Sequence, residues 1–147
     1  MHNIATIDSA RGNYKQGLDL YLKVIGLQRK LFGPEHHSVA ITAACMGDVY
    51  EKIGEYTTAI ECFEESLRIK SVAQGRHSLD VARLLHKLGK LTFLSGDYHT
   101  AESFISRTVL IYRLNKVKDD HEWMLDANRD TADIDAAIAL GKARAEC

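Results

Sequence analysis

The chain has 147 residues, 46% of them hydrophobic and 27% charged, with one proline and a net charge of −1 from 19 basic and 20 acidic side chains. That length suffices for one domain with a modest core, the near absence of proline argues against a disordered or linker-rich chain, and the balanced charge leaves no basic excess to attract nucleic acid or an anionic membrane. Cys45, Cys62 and Cys147 are too scattered for a disulfide framework, and neither a secretory leader nor a run of about 18 apolar residues is present, so a soluble, cytoplasmic protein is expected.

In chain order, the first feature is Gly12-Asn13-Tyr14, which returns as Gly54-Glu55-Tyr56 and Gly96-Asp97-Tyr98 at intervals of 42 residues. Apolar periodicity and breakers place helices over 15–32, 37–53, 57–74, 78–95 and 99–116. The phrase falls between consecutive helices and reads as the turn of a repeated helical hairpin, with a positive φ at Gly54 and Gly96. The first unit, 1–35, ends its helix at Gly33-Pro34, where glycine suits the position after the last turn and proline cannot continue it. Ile4 already occupies the register of Met46, so the first hairpin lacks the start of its first helix. Leu18, Leu22 and Ile25 are therefore expected to be short of cover.

The second unit, 36–77, shows the register most fully. Ile60, Phe63 and Leu67 form one apolar stripe beside the small residues Ala59 and Ser66, opposite a polar face of Glu61, Glu64, Glu65 and Arg68. Glu64 and Arg68 stand one turn apart as an ion pair, and Thr58 with Glu61 fits a capping box at the helix start. Gly47 recurs as Gly89 in the third unit, 78–118, in mid-helix both times. Glycine there costs about 1 kcal/mol relative to alanine, so a close helix contact is expected, with Ala59 and Ala101 filling the slot. In the last unit, 119–147, Asp119-Asp120-His121-Glu122-Trp123 is similar to another junction, but His121 falls two residues late relative to His77. Met124, Ala127, Thr131, Ile134 and Ile138 leave a weak helical stripe diluted by Asp126, Asp130, Asp133 and Asp135. A single helix over 121–143 is expected, capping the stack with a polar outer face; the alternative is an interrupted repeat.

Met46-Gly47-Asp48-Val49-Tyr50, followed by Gly54-Glu55-Tyr56, Ala59, Phe63 and Leu67, resembles the tetratricopeptide repeat, whose usual unit is about 34 residues. The junctions Leu31-Phe32-Gly33-Pro34-Glu35-His36 and Gly75-Arg76-His77 resemble the long form found in kinesin light chains. The resemblance implies an all-α, right-handed solenoid of antiparallel helical hairpins forming a single domain, 1–147. It further implies that the first helix of each unit lines a concave face, and that the junction histidine orders the connection between units.

Chemistry finds little to stand on. Seven histidines are present, but His36 and His37 are adjacent, and His86 has no partner at a zincin-like offset, so no metal site is expected. No nucleophile elbow and no phosphate-cradling glycine loop occurs, so neither an enzyme nor a cofactor is expected. A surface remains. On the stripe opposite Met46, Gly47 and Tyr50 the second unit presents Ile41, Ala44, Asp48, Glu51 and Lys52, and the third presents Arg83, His86, Lys90, Phe93 and Leu94. Arg83, His86 and Lys90 make a basic row beside Phe93 that suits an acidic-aromatic peptide or a carboxylate; the competing reading is a solvated groove with no specific ligand. The function expected is a non-catalytic protein-interaction module. The alternative is a structural spacer of a larger array, self-associating through its uncovered N-terminal hairpin, and neither nucleic acid nor a membrane is expected as a partner.

Overall fold

A computed structural model of the chain describes residues 11–146, with side chains from 13 to 141. Ile4 and Cys147 lie outside the described residues. Six helices and no strand occur among those described: α1 Arg11–Phe32, α2 His37–Lys52, α3 Tyr56–Gln74, α4 Leu79–Leu94, α5 Tyr98–Leu114 and α6 Glu122–Glu146. The protein is all-α. The helices fall into two compact units, 1–69 and 70–147, with the boundary inside α3.

In the first unit, Leu18 and Ile25 of α1 lie two turns apart and bury against Val39, Ala40, Ala43 and Met46 of α2 and Ile69 of α3. Each large side chain so buried contributes about 1.5–3 kcal/mol. Only Leu22 is exposed as expected of the three; Leu18 and Ile25 point towards α2 and are covered by it. α1 ends at Gly33, whose φ of +94° permits the reversal, and whose N–H donates to the Arg29 carbonyl at 3.0 Å. The His36 ring then caps α2 by accepting from the Ser38 N–H at 3.1 Å. Gly54 turns the chain between α2 and α3 with a φ of +85°. At Gly12, by contrast, α1 runs straight through the phrase, so the repeated motif marks a turn at its second and third occurrences only.

Three local expectations change. α3 begins at Tyr56, and the Ala59 N–H already bonds the Glu55 carbonyl, which places Thr58 inside the first turn instead of at the cap. Arg68 pairs with Glu35 at 2.6 Å instead of Glu64, because the junction before α2 carries that carboxylate within reach. Arg29 similarly reaches Glu65 at 2.6 Å. Both pairs are exposed and add little to stability. The close contact at Gly47 is real, but its occupant is Phe63: a Cβ on Gly47 would stand 2.7 Å from Phe63 Cε2.

In the second unit, Ser78 caps α4 by accepting from the Val81 N–H at 3.2 Å. α4 buries most of its length, Val81, Ala82, Leu84, Leu85, Leu88 and Leu91 among others, because it is flanked by both α5 and α6. α5 contributes Ala101, Ile105, Ile111 and Tyr112. A Cβ on Gly89 would meet Ile105 Cγ1 at 2.7 Å, so Ile105, one repeat after Phe63, takes the slot expected of Ala101. α6 buries Met124, Ala127 and Ile134, the strongest members of its stripe. The bend after α5 falls on Lys116, with a φ of +61°, a conformation costing a side chain about 1 kcal/mol that glycine would spare. His121 then caps α6, its Nδ1 accepting from the Trp123 N–H at 3.1 Å. His36, Ser78 and His121 thus hold one capping position, and the slip before α6 is a single residue instead of two.

Candidate interaction surface

Arg83, His86, Lys90, Phe93 and Leu94 lie on one side of α4 because they step mostly by three and four residues. α6 crosses beside that face. The Arg83 guanidinium sits over the Trp123 ring, 4.4 Å from its centroid, and Trp123 stacks in turn on Tyr112 at 5.9 Å. This cation–π contact holds Arg83 without neutralising it.

His86 departs from the expectation of a groove-lining side chain. It is 6% exposed, and its Nε2 donates to Asp130 Oδ2 at 2.6 Å. Burial foremost pushes its pKa below the usual 6.5; the hydrogen bond to Asp130 opposes this, while the nearby charges of Lys90 and Arg83 reinforce it. The ring is therefore neutral at neutral pH, and Nε2 carries the proton. Lys90 stands 3.9 Å from the same carboxylate oxygen and is half exposed. Asp130 thus spans two members of the basic row from across the helix pair.

Below this contact a cavity of about 230 Å³ opens between α4 and α6, lined by Gly89, Lys90, Phe93 and Leu94 on one side and Asp130, Asp133 and Ile134 on the other. Gly89 lines it with backbone alone, because the space its side chain would take is filled by Ile105 of α5. Phe93 is half-buried and tilted against Tyr98 at 5.4 Å; Leu94 is exposed. An apolar side chain fits such a site, with a lysine and two carboxylates at the rim. Sequence reasoning missed the α6 contribution. The spacing of Asp126, Asp130 and Asp133 by four and three residues was the available signal, since it puts them along one helix face.

In the first unit the matching positions on α2 carry different chemistry: Ile41, Asp48 and Lys52 are exposed, and Ala44 and Glu51 are half-buried. No group of three or more His, Cys, Asp or Glu side chains among the described residues could hold a metal ion. Cys62 is half-buried, and burial above all, then Glu65 and Glu61, pushes its thiol up to about 11. Burial first and Asp48 second also raise Cys45. Neither is activated as a thiolate. No helix among the described residues is long and apolar enough to cross a membrane.

A comparison with curated proteins yields no match. Among solved structures, a protein from Podosopora anserina described as a kinesin light chain with nearly identical TPR-like repeats superposes with a TM-score of 0.75 at 19% identity, over 90% of this chain and 63% of that one. BtubC (BKLC) from P. vanneervenii superposes with a TM-score of 0.76 at 17% identity, over 91% of this chain and 54% of that one. The chain spans less than two thirds of either. The family model described as tetratricopeptide repeat matches residues 1–70 and 39–113. Those matches cover most of the chain and coincide with the hairpins built above, so the protein belongs to the tetratricopeptide repeat family.

Proposed function

We propose that the chain is a non-catalytic protein-interaction module of the cytoplasm, a single domain of repeats at 1–35, 36–77, 78–118 and 119–147, which takes a peptide segment at the first helix of a hairpin, α4 above all. The observation that carries this reading is the cavity between α4 and α6, where Phe93, Leu94 and Ile134 offer an apolar seat beside Lys90. Arg83, Lys90, Phe93 and Leu94 contact the peptide. His86 acts behind them by positioning Asp130, and Ile41, Ala44, Asp48, Glu51 and Lys52 form the corresponding face of α2. Because the lining is already held by helix packing, little conformational entropy is lost on binding. An acidic group on the partner would meet Lys90 and Arg83, but Asp130 and Asp133 stand at the same rim, so the apolar anchor supplies most of the affinity.

The test is selection of peptides from a random displayed library against the native chain, followed by titration. Peptides with an apolar anchor should lose about tenfold or more in affinity to Phe93→Ala with Leu94→Ala, the loss of ~1.4 kcal/mol or more expected for a buried anchor. Lys90→Glu should weaken only those that also carry a carboxylate. Unchanged affinity in the Phe93/Leu94 variant would remove the cavity as the site.

A further inference from the structure

The cavity between α4 and α6 has an apolar wall and a charged rim, and the rim has a sign. Phe93, Leu94 and Ile134 supply the wall, while Lys90 faces the carboxylates of Asp130 and Asp133. The row Arg83, His86 and Lys90 on α4 points to a basic site, but only Lys90 reaches the rim. His86 is buried, and its Nε2 donates to Asp130 Oδ2 at 2.6 Å. A neutral ring that donates a hydrogen bond leaves the carboxylate its charge, and burial foremost holds the ring neutral at neutral pH. Arg83 lies two turns before Lys90, about 10 Å along the helix. Its guanidinium rests over Trp123 and does not line the cavity. At that separation salt screens most of its charge. Arg129 on α6 is also spoken for, paired with Asp126 at 3.4 Å.

Lys90 cannot cancel both carboxylates. Its Nζ is 3.9 Å from Asp130 Oδ2, a loose ion pair, and Asp133 is exposed and forms no ion pair among the described residues. Asp130 and Asp133 stand three residues apart and so share one face of α6. An apolar segment bearing a carboxylate would bring a third anion to this rim. One bearing a cation would neutralise Asp133.

We propose that the cavity selects a peptide in which an apolar anchor is accompanied by arginine or lysine, the anchor seated against Phe93, Leu94 and Ile134 and the cation on Asp133, an assignment that rests on the cavity being the peptide site. Arginine is preferred to lysine, because a guanidinium can engage both oxygens of one carboxylate. Lys90 opposes the same cation and so tunes the preference without creating it.

The experiment is titration of fluorescein-labelled peptides, taken from the random-library selection, with the native chain and with variants at low and high salt. Peptides that depend on Phe93 and Leu94 should carry arginine or lysine near the anchor. Asp133→Asn should weaken them about two- to fivefold at low salt, the range of an exposed ion pair, and less in high salt. Lys90→Gln should strengthen them by removing the opposing cation. Asp133→Lys should prefer the same peptides with the basic residue exchanged for glutamate. Asp133 and Lys90 are both exposed, and circular dichroism matching the native chain checks the fold. Peptides that need Phe93 and Leu94 but carry no basic residue, or are indifferent to Asp133→Asn, overturn the charge assignment and leave the cavity as the peptide site. Peptides that need Lys90 together with a carboxylate of their own also overturn it, by assigning an acidic partner. Peptides indifferent to Phe93 and Leu94 remove the site itself, and the charge assignment with it.

Discussion

At His86 a side chain that the sequence places in a row of exposed cations is instead a buried neutral donor to Asp130. The cost of burying a charge decides the matter: a neutral imidazole with one good hydrogen bond is cheaper to bury than an imidazolium. The consequence is a pH dependence of defined sign. The folded chain holds the His86 pKa below 6.5, so as pH falls below that value the unfolded state takes up the proton first and stability drops. Above it the contribution is complete and constant. His86→Gln keeps a donor for Asp130 and removes the proton uptake, so urea midpoints of this variant should fall less between neutral and mildly acidic pH than those of the native chain. Parallel midpoints for the two proteins would show that another group carries the dependence.

The helix pairs are set by steric fit at two glycines. Gly47 and Gly89 sit where Phe63 and Ile105 press against the backbone of the facing helix, so a repeated energetic penalty within the helix is offset by closer packing. Gly89→Ala gains about 1 kcal/mol of helix propensity but forces a methyl group against a side chain 1% exposed, and overpacking of that kind costs about 1–3 kcal/mol. A net loss of up to about 2 kcal/mol in chemical denaturation is expected. The same change should cost less in an Ile105→Val background, which frees the space of Cδ1. Equal losses in both backgrounds would place the strain elsewhere. The contact itself was legible from the sequence, because a mid-helix glycine recurring at one register needs a packing reason. Its occupant was not, because Ala59 and Phe63 lie one turn apart on the same stripe and only the helix crossing selects between them.

At the scale of the whole molecule, α6 belongs to the packed structure. Ile134 is 1% exposed and Met124 and Ala127 are fully buried. Ile134→Ala should therefore destabilise by about 2–4 kcal/mol, with an earlier unfolding midpoint in the fluorescence of Trp123, the single tryptophan. An unchanged midpoint would mean that α6 contributes little to folding. The sequence by itself determined the 42-residue register, the helix positions, the glycine turns at Gly33, Gly54, Gly75 and Gly96 and the family, because each rests on side-chain periodicity and backbone sterics within a few turns of chain. Only the tertiary structure decided what faces α4, with His86 withdrawn by Asp130 and Arg83 lying over Trp123, and, separately, which face of α1 is covered, with Leu18 and Ile25 buried and Leu20, Leu27 and Leu31 exposed. The two on α4 depend on pairings some 40 residues apart and the one on α1 on its packing against α2, and local periodicity shows that a helix has an apolar face without showing which neighbour will cover it.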